Sequence, residues 1–368
     1  MKKILVLGTG MPQGDLMIES KSQGLEVFAC SYKEGYKAQK YADHFELINI
    51  VDADKVEEYA KKIGADIVYS AGSDVAMPTA FTVSERLGLP CFCSSEAALI
   101  CNRKPLLRKT LGNFFEGNLK HQKVFSADEE ITVPFPIMMK PTDSQGQRGV
   151  CRVNNAEEFK ENFERSVSYS REGAVILEEF VEGDEISVNT FSKDGKLIFF
   201  LPSERVTWSD FPGGIIHRHI LPGKFGGNDE INGRVRDLVE RTLNKLGINN
   251  GPAYFQIMIN KDGIPKLVEV TPRLDGCHMW RLIKYSTGVD LLAMTVGALL
   301  GQAPEREITF EVKPYETEFL CMPPDSVFDR SAFTVAPYDF LEWYYEDGET
   351  VNRMNGYMEK CGLAIRGI

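Results

Sequence analysis

The chain has 368 residues, 43% hydrophobic and 26% charged, the balance of a soluble protein built from two or three units rather than one. Its formal net charge of -11 at pH 7 argues against nonspecific nucleic-acid binding, which needs a basic surface that releases counterions. No stretch reaches the ~20 apolar residues of a membrane span.

The start, Met1-Lys-Lys-Ile-Leu-Val-Leu-Gly8, mimics a signal peptide, but its apolar run stops at Gly8 and reads as a first buried strand. Short apolar runs then alternate with amphipathic stretches: strands at 4–7, 26–30, 47–51, 67–70 and 90–93, helices at 15–23, 54–63 and 74–87. That βαβ succession implies a parallel sheet with helices on its faces. Gly8-Thr-Gly10-Met-Pro-Gln-Gly14 resembles a dinucleotide fingerprint, yet Gln13 stands where the third glycine belongs. No acidic residue follows the second strand at Cys30-Ser31-Tyr32 to take a ribose, so an NAD-dependent oxidoreductase ranks last among the readings. Ligands of open parallel sheets lie at strand carboxyl ends. Gly72-Ser73-Asp74 is therefore a candidate substrate contact, and an ordinary strand-to-helix turn with Asp74 near a helix start also accounts for it.

Asn102-Arg103-Lys104 ends one short helix and opens another running to about Leu111. The stretch Phe135-Pro-Ile-Met-Met-Lys140-Pro-Thr-Asp-Ser144-Gln-Gly146-Gln-Arg-Gly149 reads as a buried strand, a lysine at its end, and a polar loop whose glycines let backbone N–H groups cradle an anion. A surface hairpin with a solvated lysine accounts for the same residues. It is not a P-loop, which needs Gly-Lys-Ser/Thr entering a helix. A helix at 156–168 follows, then a strand, the acidic break Glu178-Glu179-Phe180-Val181-Glu-Gly-Asp-Glu185, and a second strand. Acidic residues bracketing a backbone crossover suit an adenine amino group and ribose hydroxyls, and an exposed acidic loop would look alike.

Extended runs at 203–208 and 215–221 flank Gly213-Gly214; the second carries His217, Arg218 and His219, candidates for gripping a substrate or for an edge strand facing water. A long helix at 230–246 ends at Gly247. Asp262-Gly263 signals a hairpin that sets Gln256 opposite Glu269, oxygen ligands suited to Mg²⁺ beside phosphates, with Arg273 beyond as a fork for a phosphoryl oxygen. The eight cysteines are scattered, with no CxxC pair and no Cys/His ligand spacing. That argues against a zinc site and for reduced thiols in the cytoplasm.

Taken in order from Met1 to about Pro304, these segments resemble the ATP-grasp superfamily, and within it the carbamoyl-phosphate-synthase-like and carboxylate–amine ligase branch. The resemblance implies a mixed α/β and α+β fold. Its parts would be a Rossmann-like pre-ATP-grasp parallel sheet at 1–103, an ATP-grasp domain of two α+β subdomains at 104–308 with a small lid at about 120–182, and a β-rich C-terminal unit at 309–368. It implies ATP and Mg²⁺, with Mn²⁺ as an alternative. Lys104 and Lys140 would hold phosphates under the loop of Ser144, Gly146 and Gly149. Glu178, Glu179, Phe180 and Val181 would line the adenine, and Glu185 would reach the ribose. Gln256, Glu269 and Thr271 would form the metal set, and Arg273 would touch the transferred phosphate. Many members have an acidic residue at the Gln256 position, whereas the carbamoyl-phosphate-synthase branch has glutamine. Thr271 replaces the usual asparagine, and its shorter hydroxyl weakens the case for a second magnesium.

The activity implied is an ATP-dependent ligase: a small carboxylate attacks the γ-phosphate, and an amine then displaces phosphate from the acyl carbon. Phosphorylation of bicarbonate or carbamate, and an ATP-binding sensor without turnover, are the other readings. Expected partners are small molecules, not nucleic acid or membrane, and a two-fold homodimer is the base-rate oligomer.

Overall fold

The computed structural model describes residues 1–144, 148–211, 214–334, 337–353 and 356–368; Gly146 and Gly213 lie outside them. The first sheet is parallel, with β1 (Lys3–Leu7), β2 (Glu26–Ser31), β3 (His44–Leu47) and β4 (Ile67–Tyr69) in the order β3-β2-β1-β4. Helices α1 (Met11–Ser22) and α2 (Ala53–Ile63) make the crossovers from β1 to β2 and from β3 to β4, and α3 (Met77–Leu87) follows β4. Helices α4 (Ser95–Asn102) and α5 (Lys104–Leu111) lead into a small antiparallel sheet. It comprises β5 (His121–Val124), β6 (Ile137–Pro141), β7 (Cys151–Val153) and β8 (Val175–Glu179), ordered β5-β8-β6-β7, with α6 (Ala156–Val167) packed on it.

The third sheet is antiparallel and has eight strands. They are β9 (Gly183–Lys193), β10 (Lys196–Thr207), β11 (Ile216–Leu221), β12 (Gly251–Asn260), β13 (Pro265–Thr271), β14 (Tyr315–Met322), β15 (Phe340–Trp343) and β16 (Glu359–Gly367). Their order is β13-β12-β9-β10-β11-β14-β16-β15, so the C-terminal strands extend the central sheet through the β11–β14 pairing. Helices α7 (Asp229–Leu246), α8 (Met279–Thr287) and α9 (Leu291–Leu299) complete the chain. Asn228 caps α7 by accepting the Ile231 N–H, and Gly247 ends it at φ 67°, where a residue with Cβ would be strained. Among the described residues no single helix is long and apolar enough to cross a membrane.

Two strand expectations fail. Residues 48–51 are not a strand: β3 ends at Leu47, and a turn follows in which the Val51 N–H donates to Asn49 and Asp52 caps α2. Ile48 and Ile50 are apolar because they pack on the α2 face of the parallel sheet. Residues 90–93 form no ladder either. Phe92 is a plug, edge-on to both Tyr69 and Phe191, and a Cβ at Gly251 would fall 2.2 Å from its ring. Two helices also start elsewhere than expected: α1 begins earlier, with Pro12 in its first turn, and α3 begins at Met77, leaving Asp74 ahead of it.

Candidate functional site

The parallel sheet is anchored on the central one by charge and by close backbone contact. Asp15 of α1, nearly buried, accepts from His278 Nδ1 at 2.9 Å, Trp280 Nε1 at 2.9 Å and Arg281 Nε at 2.8 Å. Burial would raise its carboxyl, but the His278 and Arg281 contacts overcome that and hold it at about 2. At Gly72, where φ is +65°, a Cβ would lie 2.8 Å from Gly276 Cα and 2.9 Å from Pro12 Cβ. In the first turn of this unit the Gln13 side chain accepts the Gly10 N–H at 2.9 Å and donates to the Ala71 carbonyl. It thereby fills the space that a glycine-rich loop would leave for a pyrophosphate.

A charged cleft forms where the three sheets meet. Helix α5 opens at Lys104 and has Arg108 four residues on, so both side chains leave the same helix face. Arg108 is 1% exposed. It donates to Glu178 Oε1 at 2.6 Å, to Asn118 at 3.2 Å and to the Val268 carbonyl at 2.7 Å, joining the small sheet to β13. Lys140, delivered by β6, donates to the other Glu178 oxygen at 2.7 Å. Burial alone would raise the Glu178 carboxyl; Arg108 and Lys140 outweigh it and hold it at about 2. Lys104 Nζ donates to the Ser144 carbonyl at 2.9 Å, so the start of the polar loop lies over it. Burial pushes the Lys104 ammonium down, with Glu269 opposing.

Glu269 is the cleft's unpartnered acid. It has no hydrogen bond or ion pair among the described residues, and its carboxyl is pushed up by burial and by the like charge of Asp74. Gln256 faces it across the hairpin in register. The Gln256 amide nitrogen donates to Glu185, which also accepts from Arg205 at 2.7 Å, leaving the amide carbonyl as its ligand atom. Thr271 does not join this pair: its hydroxyl donates to Asp74 at 3.1 Å. Asp74 also holds Arg273, accepting its Nε at 2.7 Å. Both Asp74 and Arg273 thus sit at the rim between the parallel sheet and β13.

At the β8–β9 crossover the Val181 N–H and C=O make no hydrogen bond among the described residues, while the Phe180 N–H donates to Pro136. The Arg152 guanidinium stacks 4.1 Å from the Phe180 ring centroid, and Glu179 lies 3.7 Å from Lys266. Gly149 packs under Tyr169 at φ +71°, and its carbonyl accepts from Ser166. Ser73 accepts from the Ala76 N–H. The three residues on β11 separate: Arg218 pairs with Glu316, while His217 stacks on Trp208 and reaches Glu318, and His219 turns inward. Sequence reasoning missed Arg108, Arg205 and Asp275. Only Arg108 had a local signal, its helical spacing from Lys104.

This arrangement of sheets is shared with known proteins. Residues 133–280 match the ATP-grasp domain family, and the chain carries an ATP-grasp domain. It is 27% identical over 262 residues to a formate-dependent phosphoribosylglycinamide formyltransferase of Bacteroides thetaiotaomicron, a match covering 67% of this chain and 65% of the relative. It is 25% identical over 350 residues to a phosphoribosylamine–glycine ligase of Methanococcus vannielii, covering 84% and 76%. The crystal structure of an L-amino acid ligase from Bacillus licheniformis superposes with a TM-score of 0.80 at 18% identity, covering 99% of this chain and 93% of that one. The chain thus spans just under two thirds of the first relative's length.

Proposed function

We propose that the protein is an ATP-dependent carboxylate–amine ligase that forms an amide or peptide-like bond through an acyl phosphate. The observation that carries this reading is the convergence of Lys104, Lys140 and Arg273 with an unpartnered, pushed-up Glu269 around one cleft. Buried cations facing an unfilled space suit phosphoryl oxygens, and a carboxylate that burial has made costly to charge suits a divalent cation. Mg²⁺ fits the oxygen donors of Glu269 and Gln256 and would neutralise phosphate charge there; Mn²⁺ suits the same donors. With the Thr271 hydroxyl turned to Asp74, the residues favour a single ion.

In this reading Val181 offers its unpaired N–H and C=O to the adenine edge, Glu179 and Phe180 flank it, and Glu185 takes the ribose. Lys104 and Lys140 bind the phosphates, with Ser144 and Gly149 covering them. A substrate carboxylate attacks the γ-phosphate, Arg273 steadies the charge that develops, and an amine then expels phosphate from the acyl carbon. The chain contributes position and preorganised charge rather than a covalent nucleophile. Gly72, Ser73 and Asp74 border the space left for the substrates. Domain limits at 103/104 and 308/309 fit this division of labour.

The test is release of ADP from Mg·ATP against a panel of carboxylates, each with and without amines, in the wild type and in Lys140→Ala and Glu269→Ala. Release that requires one acid–amine pair and disappears in both variants supports the ligase. Release with bicarbonate alone transfers the protein to the carbamoyl-phosphate-like reading, and nucleotide binding with no turnover for any pair refutes the ligase.

A further inference from the structure

A second polar cluster lies outside the nucleotide cleft. Strand β11 delivers His219, and the turn after β13 delivers Asp275 and Cys277; their donor atoms all lie within 4.8 Å of one another. His219 is 0% exposed, and neither ring nitrogen makes a hydrogen bond. The Glu204 backbone passes near the ring without reaching hydrogen-bond geometry. Asp275, 4% exposed, accepts the Cys277 N–H through Oδ1, while Oδ2 has no partner and stands 4.0 Å from His219 Nε2. The half-buried Cys277 thiol touches Lys360 Nζ at 3.7 Å.

A buried polar group left without a partner is costly, and here two such side chains face one point beside a thiol. We propose that His219, Asp275 and Cys277 bind a single borderline-soft divalent ion of the zinc class. The mixed nitrogen, oxygen and sulfur donors select against magnesium, which takes hard oxygen ligands, and suit an ion with tetrahedral preference. Three protein donors leave the fourth position open, as at catalytic rather than structural zinc.

The charges also match. Binding breaks the Cys277 S–H bond, releases that proton to solvent and forms a metal–sulfur bond, so one carboxylate and one thiolate balance the dication. Lys360 then faces a thiolate rather than a thiol, which explains an ammonium placed against sulfur. The other nearby cations are already paired, Arg205 with Glu185 and Arg273 with Asp74. Burial, Arg205 and Lys360 keep the His219 imidazole neutral, so its lone pair is available. The site does not depend on the ligase reading.

The experiment uses the full chain, stripped with a chelator and titrated with Co²⁺, reading the thiolate-to-cobalt charge-transfer band and the intense visible bands of tetrahedral cobalt. We expect saturation at one equivalent and displacement by Zn²⁺. Cys277→Ser should abolish the charge-transfer band without lowering the melting temperature of the metal-free protein. His219→Ala should weaken binding at least about tenfold, since even residues that only orient a ligand cost that much. Glu269→Gln should keep the band, separating this site from the nucleotide cleft. A titration that never saturates, or a band that survives Cys277→Ser, overturns the proposal; the near-isosteric serine variant decides it even if the alanine variant fails to fold.

Discussion

Replacing Arg108 with methionine strikes the join between the lid sheet and β13. The substitution keeps most of the volume and removes the charge, so Glu178 is left 1% exposed with Lys140 as its remaining cation. The Asn118 amide oxygen and the Val268 carbonyl lose a donor as well. Removing one partner of a buried pair costs about 3–5 kcal/mol, because the other charge stays behind. The cost should also depend on pH. Folding lowers the Glu178 carboxyl from its ordinary 4.5 to about 2, a difference worth about 3 kcal/mol. Because the folded value lies below the unfolded one, that contribution is complete above about pH 4.5 and is lost as pH falls towards 2. In Arg108→Met the folded value rises towards the unfolded one, so the acid-dependent loss should be smaller and should end at a higher pH. Urea unfolding followed by circular dichroism at pH 7 and 4 measures both effects. Arg108→Met with Glu178→Gln should recover part of the loss, since no unpaired carboxylate is then buried. A single variant costing less than ~1 kcal/mol, or a double variant showing no coupling, would refute this account of the pair.

Two further outcomes can be measured on the same protein. Glu269→Gln removes a carboxylate whose raised folded value makes its charge unfavourable at neutral pH. The metal-free variant should therefore melt no lower than wild type at pH 7 while losing Mg²⁺-dependent affinity for ADP by calorimetry; a clear drop in melting temperature with affinity intact would contradict it. Gly72→Ala and Gly88→Ala share a φ of +65°, but only at Gly72 does a Cβ meet other atoms within 4 Å. Gly88→Ala should cost about 1 kcal/mol from the backbone, and Gly72→Ala about 1–3 kcal/mol more from the clash, so equal losses would show that the seam yields freely.

Local chemistry explains what could be read from the chain. The Asp262-Gly263 turn fixes a hairpin register over few residues, which is why Gln256 opposite Glu269 follows from sequence. Helices with a capping residue and a closing glycine, such as α7, are bounded by their own termini. What failed was apolar for reasons of packing between units. Phe92 is buried by Tyr69 and Phe191, far along the chain, and its neighbourhood looks like a strand only because burial, not pairing, sets its composition. The same limit hid the cluster of His219, Asp275 and Cys277, in which β11 supplies the first and the turn after β13 the other two, with no ligand-spacing motif joining them. On β11 the ladder with β10 slips beside His217, so His217 and Arg218 reach Glu318 and Glu316 on β14 while His219 turns inward, and the three adjacent polar residues could not act together.

The C-terminal strands complete the central sheet rather than decorate it. If β14, β15 and β16 were cut away, β11 would present a row of unpaired N–H and C=O groups with Ile216, Ile220 and Leu221 along it. Such an edge templates association with other chains. A truncated protein ending near Pro304 would retain the charged cleft and yet be recovered as aggregates, so fragments for crystallisation or library display should keep the chain intact through β16.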